Sequence, residues 1–365
     1  MILHLLFDEK FSDYVITQFA SPEMKSDFVL VTPTRDMRYF HHIDEVRVVN
    51  PLKEEEMQKL LADIADYKSV IFHGLFNSWQ LWLLKRWPQG VKKAWVCWGG
   101  EIYGQRDLQY SFFKPITKMA FRIRRLLHPE KQKTDVCPKE WIQTMDYCLC
   151  YMDTEFEYVK QYLQTDIHHL RYTHYSIDET IGGLKDFRCT GNNIFLGNSA
   201  TIENNHLDTL YKLKRYGIGE RRIVIPLSYG EPWVRNMCMH VGRRLFGERI
   251  KPLVDFMPRE EYNKTMLDCA VMIQAHLREQ AHGNIVTGLW LGMRVYLSEN
   301  GIDYQHFKRI GCKVFSIEKE LRRNNKQALM PLSEDDVMHN RKILMEVYGK
   351  KHIIEANKRI VNELQ

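Results

Sequence analysis

The run Arg278-Glu279-Gln280-Ala281-His282-Gly283-Asn284-Ile285 leads into an apolar stretch, 286–293, and then into Val295-Tyr296-Leu297-Ser298-Glu299-Asn300. It reads as a polar, glycine-bearing loop, an amphipathic helix and a short strand closing on Glu-Asn. Amides at a helix start lack partners within the helix, and the dipole there favours an anion. Gly283 lets a phosphate group come close to the main chain. Units of this kind build parallel α/β sheets, whose ligands meet the carboxyl ends of the strands.

Working outward, the same rhythm fills both halves of the chain. Apolar strand-like runs occur at 2–7, 28–32, 46–49, 69–72, 94–98 and 147–151, with helical spacing at 54–67 and 154–163. Glycines and asparagines cluster at 178–193, where an interdomain linker is expected. The second half restarts with strands at 193–196, 222–226, 250–253, 271–273, 295–297 and 313–315. Helices are expected at 204–216, 233–246, 259–268 and 286–293, and the chain reads as helical after Ser333. Asp335 and Asp336 read as capping acids there.

The 365 residues exceed one comfortable core and fit two α/β domains. The expected boundaries are 1–185, 186–333 and a helical segment 334–365 that packs back on the first domain. No apolar window approaches the length of a membrane span, and Met1 to Asp8 reads as a buried strand and not as a signal peptide. The eight cysteines form no CxxC pair, so reduced, buried thiols of a cytosolic protein are expected. Net charge is +6, and its placement is local: between Lys114 and Lys133 seven cations (Lys114, Lys118, Arg122, Arg124, Arg125, Lys131 and Lys133) face the single acid Glu130.

The loops after the strands carry the candidate chemistry. They are His73-Gly74-Leu75-Phe76-Asn77, Gly99-Gly100-Glu101-Ile102-Tyr103, Gly197-Asn198-Ser199, Leu227-Ser228-Tyr229-Gly230 and Gln274-Ala275-His276. Small residues repeatedly meet a polar group at a strand end, which suits a ligand cleft; plain turn geometry is the competing reading.

Together these residues resemble a known family. Phe72-His73-Gly74-Leu75-Phe76-Asn77, Trp98-Gly99-Gly100-Glu101-Ile102-Tyr103, Leu196-Gly197-Asn198-Ser199, Pro226-Leu227-Ser228-Tyr229-Gly230 and Gln280 through Asn300 occur in an order similar to that of the bacterial TDP-Fuc4NAc:lipid II transferases, the 4-alpha-L-fucosyltransferase-like glycosyltransferase family 56. Glu101 stands where the family pattern has Asp, and residues 1–65 match poorly. The resemblance implies a GT-B fold: two Rossmann-like domains, the acceptor on the first, the nucleotide-sugar on the second, and a C-terminal helix crossing back.

It also implies roles. Glu101 takes the acceptor proton or stabilises charge at the sugar carbon, with a simple helix-start acid as the bland alternative. His73 positions the acceptor or shares the proton, unless it is a structural histidine. Asn77, Trp98, Gly99, Gly100 and Tyr103 line the acceptor side. Amides at Gly283, Asn284 and Ile285 hold the diphosphate, helped by Asn198, Ser199 and Gln280. Glu299 and Asn300 take ribose hydroxyls, and Tyr229 and His276 line the sugar or base pocket.

The sequence has no Asp-x-Asp, no P-loop and no HExxH, so no metal and no cofactor is expected. Lys118, Arg122, Arg124 and Arg125, interleaved with apolar residues, suit a helix lying on an anionic membrane surface; a solvated cationic face is the alternative. One short basic run without a base-reading fold argues against nucleic acid. The expected activity is transfer of a Fuc4NAc-like deoxyamino sugar from a TDP- or UDP-sugar to an undecaprenyl-diphosphate-linked saccharide, at the cytoplasmic face of the bacterial inner membrane. A sugar-nucleotide epimerase of similar architecture and a non-catalytic nucleotide-sugar-binding module are the alternatives.

Overall fold

The computed structural model describes residues 1–129, 137–325 and 327–365. The chain divides into two compact units. The first comprises Met1–Asp107, Lys133–Ser176 and Lys350–Gln365; the second comprises Leu108–Gln132 and Ile177–Gly349.

The first unit is built on seven parallel strands: β1 (Ile2–Leu6), β2 (Ser26–Val31), β3 (Arg47–Val49), β4 (Ser69–His73), β5 (Lys92–Val96), β6 (Tyr147–Cys150) and β7 (His168–Arg171). Their order is β3-β2-β1-β4-β5-β6-β7. Helices cover both faces of such a sheet, which is why the central strands are near-continuous apolar runs. Leu5 of β1 lies beside Val29 of β2 and Phe72 of β4. Ile2, Leu6, Ile71, Val96 and Leu149 share one core with Ile360, Val361 and Leu364 of the last helix.

The second unit repeats the plan with β8 (Asn193–Leu196), β9 (Ile223–Pro226), β10 (Ile250–Leu253), β11 (Cys269–Gln274), β12 (Arg294–Leu297) and β13 (Phe315–Ser316). The order is β10-β9-β8-β11-β12-β13, all parallel. Each sheet therefore reverses its strand order once, between β1 and β4 and between β8 and β11. Loops diverge at such a point and leave room for a ligand.

Both α/β units with parallel sheets meet the expectation, but the segmentation differs from 1–185, 186–333 and 334–365. The division falls at 176/177. The helix Pro115–Leu127 belongs to the second unit, because Asp208 caps it: the Ile116 and Thr117 amides donate to its carboxylate at 3.0 and 2.9 Å. The C-terminal segment splits. Glu334–Tyr348 stays with the second unit and Lys350–Leu364 with the first. Ser333 caps the former, accepting from the Asp336 amide at 3.2 Å.

Smaller differences follow from burial. The edge strand β7 and the helix Ser12–Phe19 carry weak periodicity and are not anticipated. The helix of the opening stretch starts at His282, four residues before the apolar run, and ends at Trp290. All eight cysteines are free and buried.

Candidate active site

In the second unit three loops meet beside the β8/β11 switch point. Gly197 leaves β8 with φ +68°, and a Cβ there would sit 2.2 Å from His206 Cε1, so only glycine fits. The organiser of this loop is Asn204, fully buried. Its Oδ1 accepts from the Asn198 amide at 3.1 Å, and its Nδ2 donates to Ser199 Oγ at 3.0 Å and Thr201 Oγ1 at 2.9 Å. His206 Nε2 lies 2.8 Å from the Ser199 carbonyl, which can only accept, so that nitrogen carries the proton. Burial pushes the His206 imidazole down to about 4, against the pull of that carbonyl.

Asn198 joins the loops. Its Nδ2 donates to Tyr229 Oη at 2.9 Å, and its Oδ1 accepts from Gln280 Nε2 at 2.9 Å; Gln280 Nε2 also reaches Thr201 Oγ1 at 3.1 Å. Gln280 Oε1 is buried with no partner among the described residues. Tyr229 is 56 % exposed, so its ring is open to a ligand. Gly230 bridges to Ala200 with φ +108°, and a Cβ there would meet the Ala200 carbonyl carbon at 2.5 Å.

The helix His282–Trp290 begins from Ala281, a non-glycine residue held at φ +61° with no side-chain cap. Left-handed backbone at such a residue costs about 1–2 kcal/mol and persists only where packing enforces it. The first helical bond is Ile285 N to Ala281 O at 3.0 Å. The amides of His282, Gly283 and Asn284 therefore have no acceptor within the helix.

This corrects one expectation: Ile285 cannot serve the ligand, because its amide is spent on Ala281 and its side chain is wholly buried. The Asn284 side chain donates through Nδ2 to Tyr262 Oη at 2.8 Å, and Tyr262 packs edge-on against Phe195. His276 is also corrected. It lies inside the unit, its Nδ1 3.0 Å from the Arg278 carbonyl and 3.2 Å from Asp303 Oδ2, and does not line an open pocket. Ser199 likewise spends its hydroxyl on Asn204 and Thr201. Glu299 is paired with Lys319, and Ser316 Oγ reaches its second oxygen at 3.4 Å. Asn300 is exposed and faces a cavity of about 380 Å³ with Lys114, Lys212 and Glu318.

In the first unit the loops after β4 and β5 are pinned together from within. Glu101 is fully buried; its Oε1 accepts from the Leu75 amide at 3.1 Å and from Trp95 Nε1 at 3.0 Å. Burial raises its carboxyl from 4.5 to about 7, although those donors favour the charged form. Enclosed in this way, Glu101 ties the β4 loop to β5 and does not stand open to an acceptor hydroxyl, as the expected acid–base role requires; its Oε2 is buried with no hydrogen-bond partner among the described residues. Tyr103 is corrected similarly: it is buried, with Oη donating to Glu155 at 2.8 Å.

His73 ends a buried polar row. Ser26 Oγ donates to the Met24 carbonyl at 3.1 Å, which leaves its oxygen to accept from His4 Nε2 at 3.2 Å. His4 Nδ1 is then an acceptor, and His73 Nε2 donates to it at 3.0 Å. This order fixes His73 Nδ1 as an unprotonated acceptor, buried and with no partner among the described residues. Burial, then the neighbouring His4 and His174, holds the His73 imidazole well below its usual range. With its ring enclosed, His73 does not present itself to an acceptor either.

The remaining residues expected on the acceptor side sit on the loops after β4 and β5. Trp98 is half-buried between Phe7, Phe11 and Phe76, with ring centroids 5.4–5.8 Å apart. Gly99, at φ +84°, turns the chain into the short helix Gly100–Tyr103, and a Cβ on the exposed Gly100 would meet Phe76 Cε1 at 2.9 Å. Asn77 heads the helix Ser78–Leu84. Gln80, which sequence reasoning passes over, shapes that turn: its Oε1 accepts from the Phe76 and Asn77 amides and its Nε2 donates to the Gly74 carbonyl. Asn204, His206, Tyr262, His4 and Ser26 are passed over as well. His4, Ser26 and Tyr262 meet partners 22 or more residues away, whereas Gln80, Asn204 and His206 bond within seven residues, a turn signal that the sequence carries.

The basic helix Pro115–Leu127 turns Thr117 and Phe121 inward and leaves Met119, Ile123, Leu126 and Leu127 exposed. Arg124 is corrected: its guanidinium lies over the Trp233 ring at 5.8 Å on the packed side of the helix. Lys118 and Arg122 flank the exposed stripe, and Arg125 leans back to Gln109 and Tyr110. Lys131 and Lys133 of the same cationic run lie outside the described residues. Among the described residues no helix is long and apolar enough to cross a membrane.

Comparison with known proteins gives this geometry a family. The profile described as 4-alpha-L-fucosyltransferase, glycosyl transferase group 56, matches residues 7–330. No curated protein matches the chain. Among solved structures, a glycosyltransferase from Rickettsia africae ESF-5 is similar with TM-score 0.62 at 11 % identity, covering 100 % of this chain and 98 % of that one. Sucrose-phosphate synthase from Thermosynechococcus elongatus gives 0.61 at 11 %, covering 100 % and 98 %. The lipopolysaccharide outer core galactosyltransferase WaaB in its apo form gives 0.60 at 12 %, covering 100 % of both chains. These likenesses carry the fold; the profile carries the family. A profile spanning nearly the whole chain, on two parallel sheets shared with GT-B enzymes, places the protein in glycosyl transferase group 56 as a glycosyltransferase of GT-B fold.

Proposed function

We propose that this glycosyltransferase moves a Fuc4NAc-like deoxyamino sugar from a TDP- or UDP-sugar onto an undecaprenyl-diphosphate-linked saccharide, at the cytoplasmic face of the inner membrane. The observation that carries the donor side is the uncapped start of His282–Trp290 beside the β8/β11 switch point. The amides of Gly283 and Asn284, which have no acceptor within the helix, and the helix dipole suit a diphosphate, and Asn198, Tyr229 and Gln280 form a polar rim beside them.

In the reaction the acceptor oxygen bonds to the anomeric carbon as the bond from that carbon to the phosphate oxygen breaks. Negative charge develops on the departing diphosphate, where the helix amides and dipole stabilise it. With Glu101 and His73 enclosed, the hydroxyl proton leaves to the departing phosphate oxygen. Charge stabilisation by amides needs no metal, so activity in EDTA is part of the proposal.

The exposed apolar and basic stripe of Pro115–Leu127 supports work at an anionic membrane surface. The test is a panel of TDP- and UDP-sugars with a lipid-linked acceptor, read by mass spectrometry, together with calorimetry of Gly283→Val. Acceptor-dependent product and loss of donor binding in the variant are expected. Conversion of free sugar nucleotide without acceptor would point to an epimerase, and donor affinity unchanged in Gly283→Val would remove the helix start as the diphosphate site.

A further inference from the structure

Two cavities of the first unit open side by side at the carboxyl ends of its strands, and Thr32 and Pro33 line both. One, of about 750 Å³, is faced by Phe7, Leu52, Met57, Trp79 and Trp82. The other, of about 430 Å³, is faced by Arg35, Arg47, Lys53 and Lys59 against the single carboxylate of Glu56. Each falls in the size range of small-molecule sites, roughly 300–1,000 Å³. One half is aromatic, the other cationic, and they adjoin.

We propose that these two cavities are a single groove that binds a saccharide carrying a phosphate ester, the sugar in the aromatic half and the phosphate in the basic half. The inference rests on the proposed transfer to a diphosphate-linked saccharide and assigns the place where that acceptor is read.

Indole faces pack against the C–H faces of a sugar ring while leaving its hydroxyls to polar neighbours. Asp8 and Glu54 supply carboxylates at the aromatic half. Asp8 also accepts from the amides of Arg38, Tyr39 and Phe40 at 2.8–3.0 Å, which fixes the loop that follows Arg35. In the basic half Arg47 is held by Asp63, and Lys53 by Glu56 at 2.9 Å. Arg35 and Lys59 have no ion-pair partner among the described residues, so this half keeps an excess of positive charge. An excess of that kind recruits an anion. From β1 to β3 is two strand spacings, roughly 10 Å, the scale of a sugar ring with its anomeric phosphate.

The experiment is calorimetry of the full chain with three probes: farnesyl-diphospho-N-acetylglucosamine, methyl N-acetylglucosaminide and inorganic pyrophosphate. Tightest binding of the first is expected, weakening with added salt. Arg35→Glu with Lys59→Glu should weaken it at least about tenfold, the loss expected for one charge-assisted contact, and leave the methyl glycoside unchanged. Trp82→Ala should weaken both saccharides. Gly283→Val should leave binding of the farnesyl probe intact, because that residue lies in the second unit. Equal affinity of the charge-reversed variant and the parent overturns the proposal. So does a methyl glycoside that binds as tightly as the farnesyl probe, and pyrophosphate doing so removes the saccharide half. None of these readings needs turnover, so a donor panel that yields no product counts against the proposed function and leaves the groove to be judged on its own.

Discussion

Burial holds the Glu101 carboxyl at about 7 although Leu75 and Trp95 both donate to it. A carboxyl raised in the folded state contributes stability that is full below its unfolded value of 4.5 and is lost as pH rises through 7. Glu101→Gln keeps an Oε1 for both donors and does not titrate. Urea unfolding should therefore show the variant gaining on the parent between pH 4.5 and pH 8, by on the order of 1–3 kcal/mol. Its turnover should stay near the parent value. A loss of roughly 10²–10⁴, the usual worth of a general base, would return Glu101 to the chemistry. At this scale the sequence marks the residue but not its direction. A glycine pair followed by an acid is legible at 99–101, whereas its enclosure depends on Trp95 and Leu75.

Helix Pro115–Leu127 makes the same point for an element. Its composition announces an amphipathic, cationic helix, yet which face packs was settled by Asp208, Asn205 and Trp233 of the second unit. The inward face carries Thr117, Phe121 and Arg124. The outward one carries Met119, Ile123, Leu126 and Leu127, the last two 81 % and 71 % exposed. Changing Lys118, Arg122 and Arg125 to Glu should reduce co-sedimentation with anionic vesicles, since each near-surface cation adds about 1 kcal/mol. Leu126→Ser with Leu127→Ser should reduce it as well. Retention equal to the parent in both variants would leave the stripe without a membrane role. Arg124→Glu, in contrast, should lower stability by disturbing the Trp233 contact.

For the whole molecule, the last helix returns to the first unit. Ile360, Val361 and Leu364 are buried in its core, Lys92 Nζ donates to the Glu363 carbonyl at 3.1 Å and Asn357 donates to Gln18 at 3.2 Å. Gln18 in turn donates to the carbonyls of Thr173 and His174, so the helix steadies the loop after β7. Ile360→Ala should cost about 2–5 kcal/mol, seen in calorimetry as a lower melting temperature of the first unit. An unchanged melting profile would show that the helix adds nothing to that core.

What the sequence determined by itself was the class and rhythm of the chain: alternating apolar strands and amphipathic helices in two runs, glycine where strands turn toward a ligand, and an open helix start after Gln280. These are local properties, set by side-chain periodicity and by the φ that glycine alone tolerates. What only the tertiary structure decided was enclosure. Glu101, His73, His276 and Ile285 are withdrawn from solvent, and the helix Pro115–Leu127 joins a unit that its position in the chain does not predict, whereas Lys350–Leu364 returns to the first unit as the resemblance implies. The reason is physical: burial and partnership depend on atoms brought together from distant parts of the chain, and no window of sequence contains them.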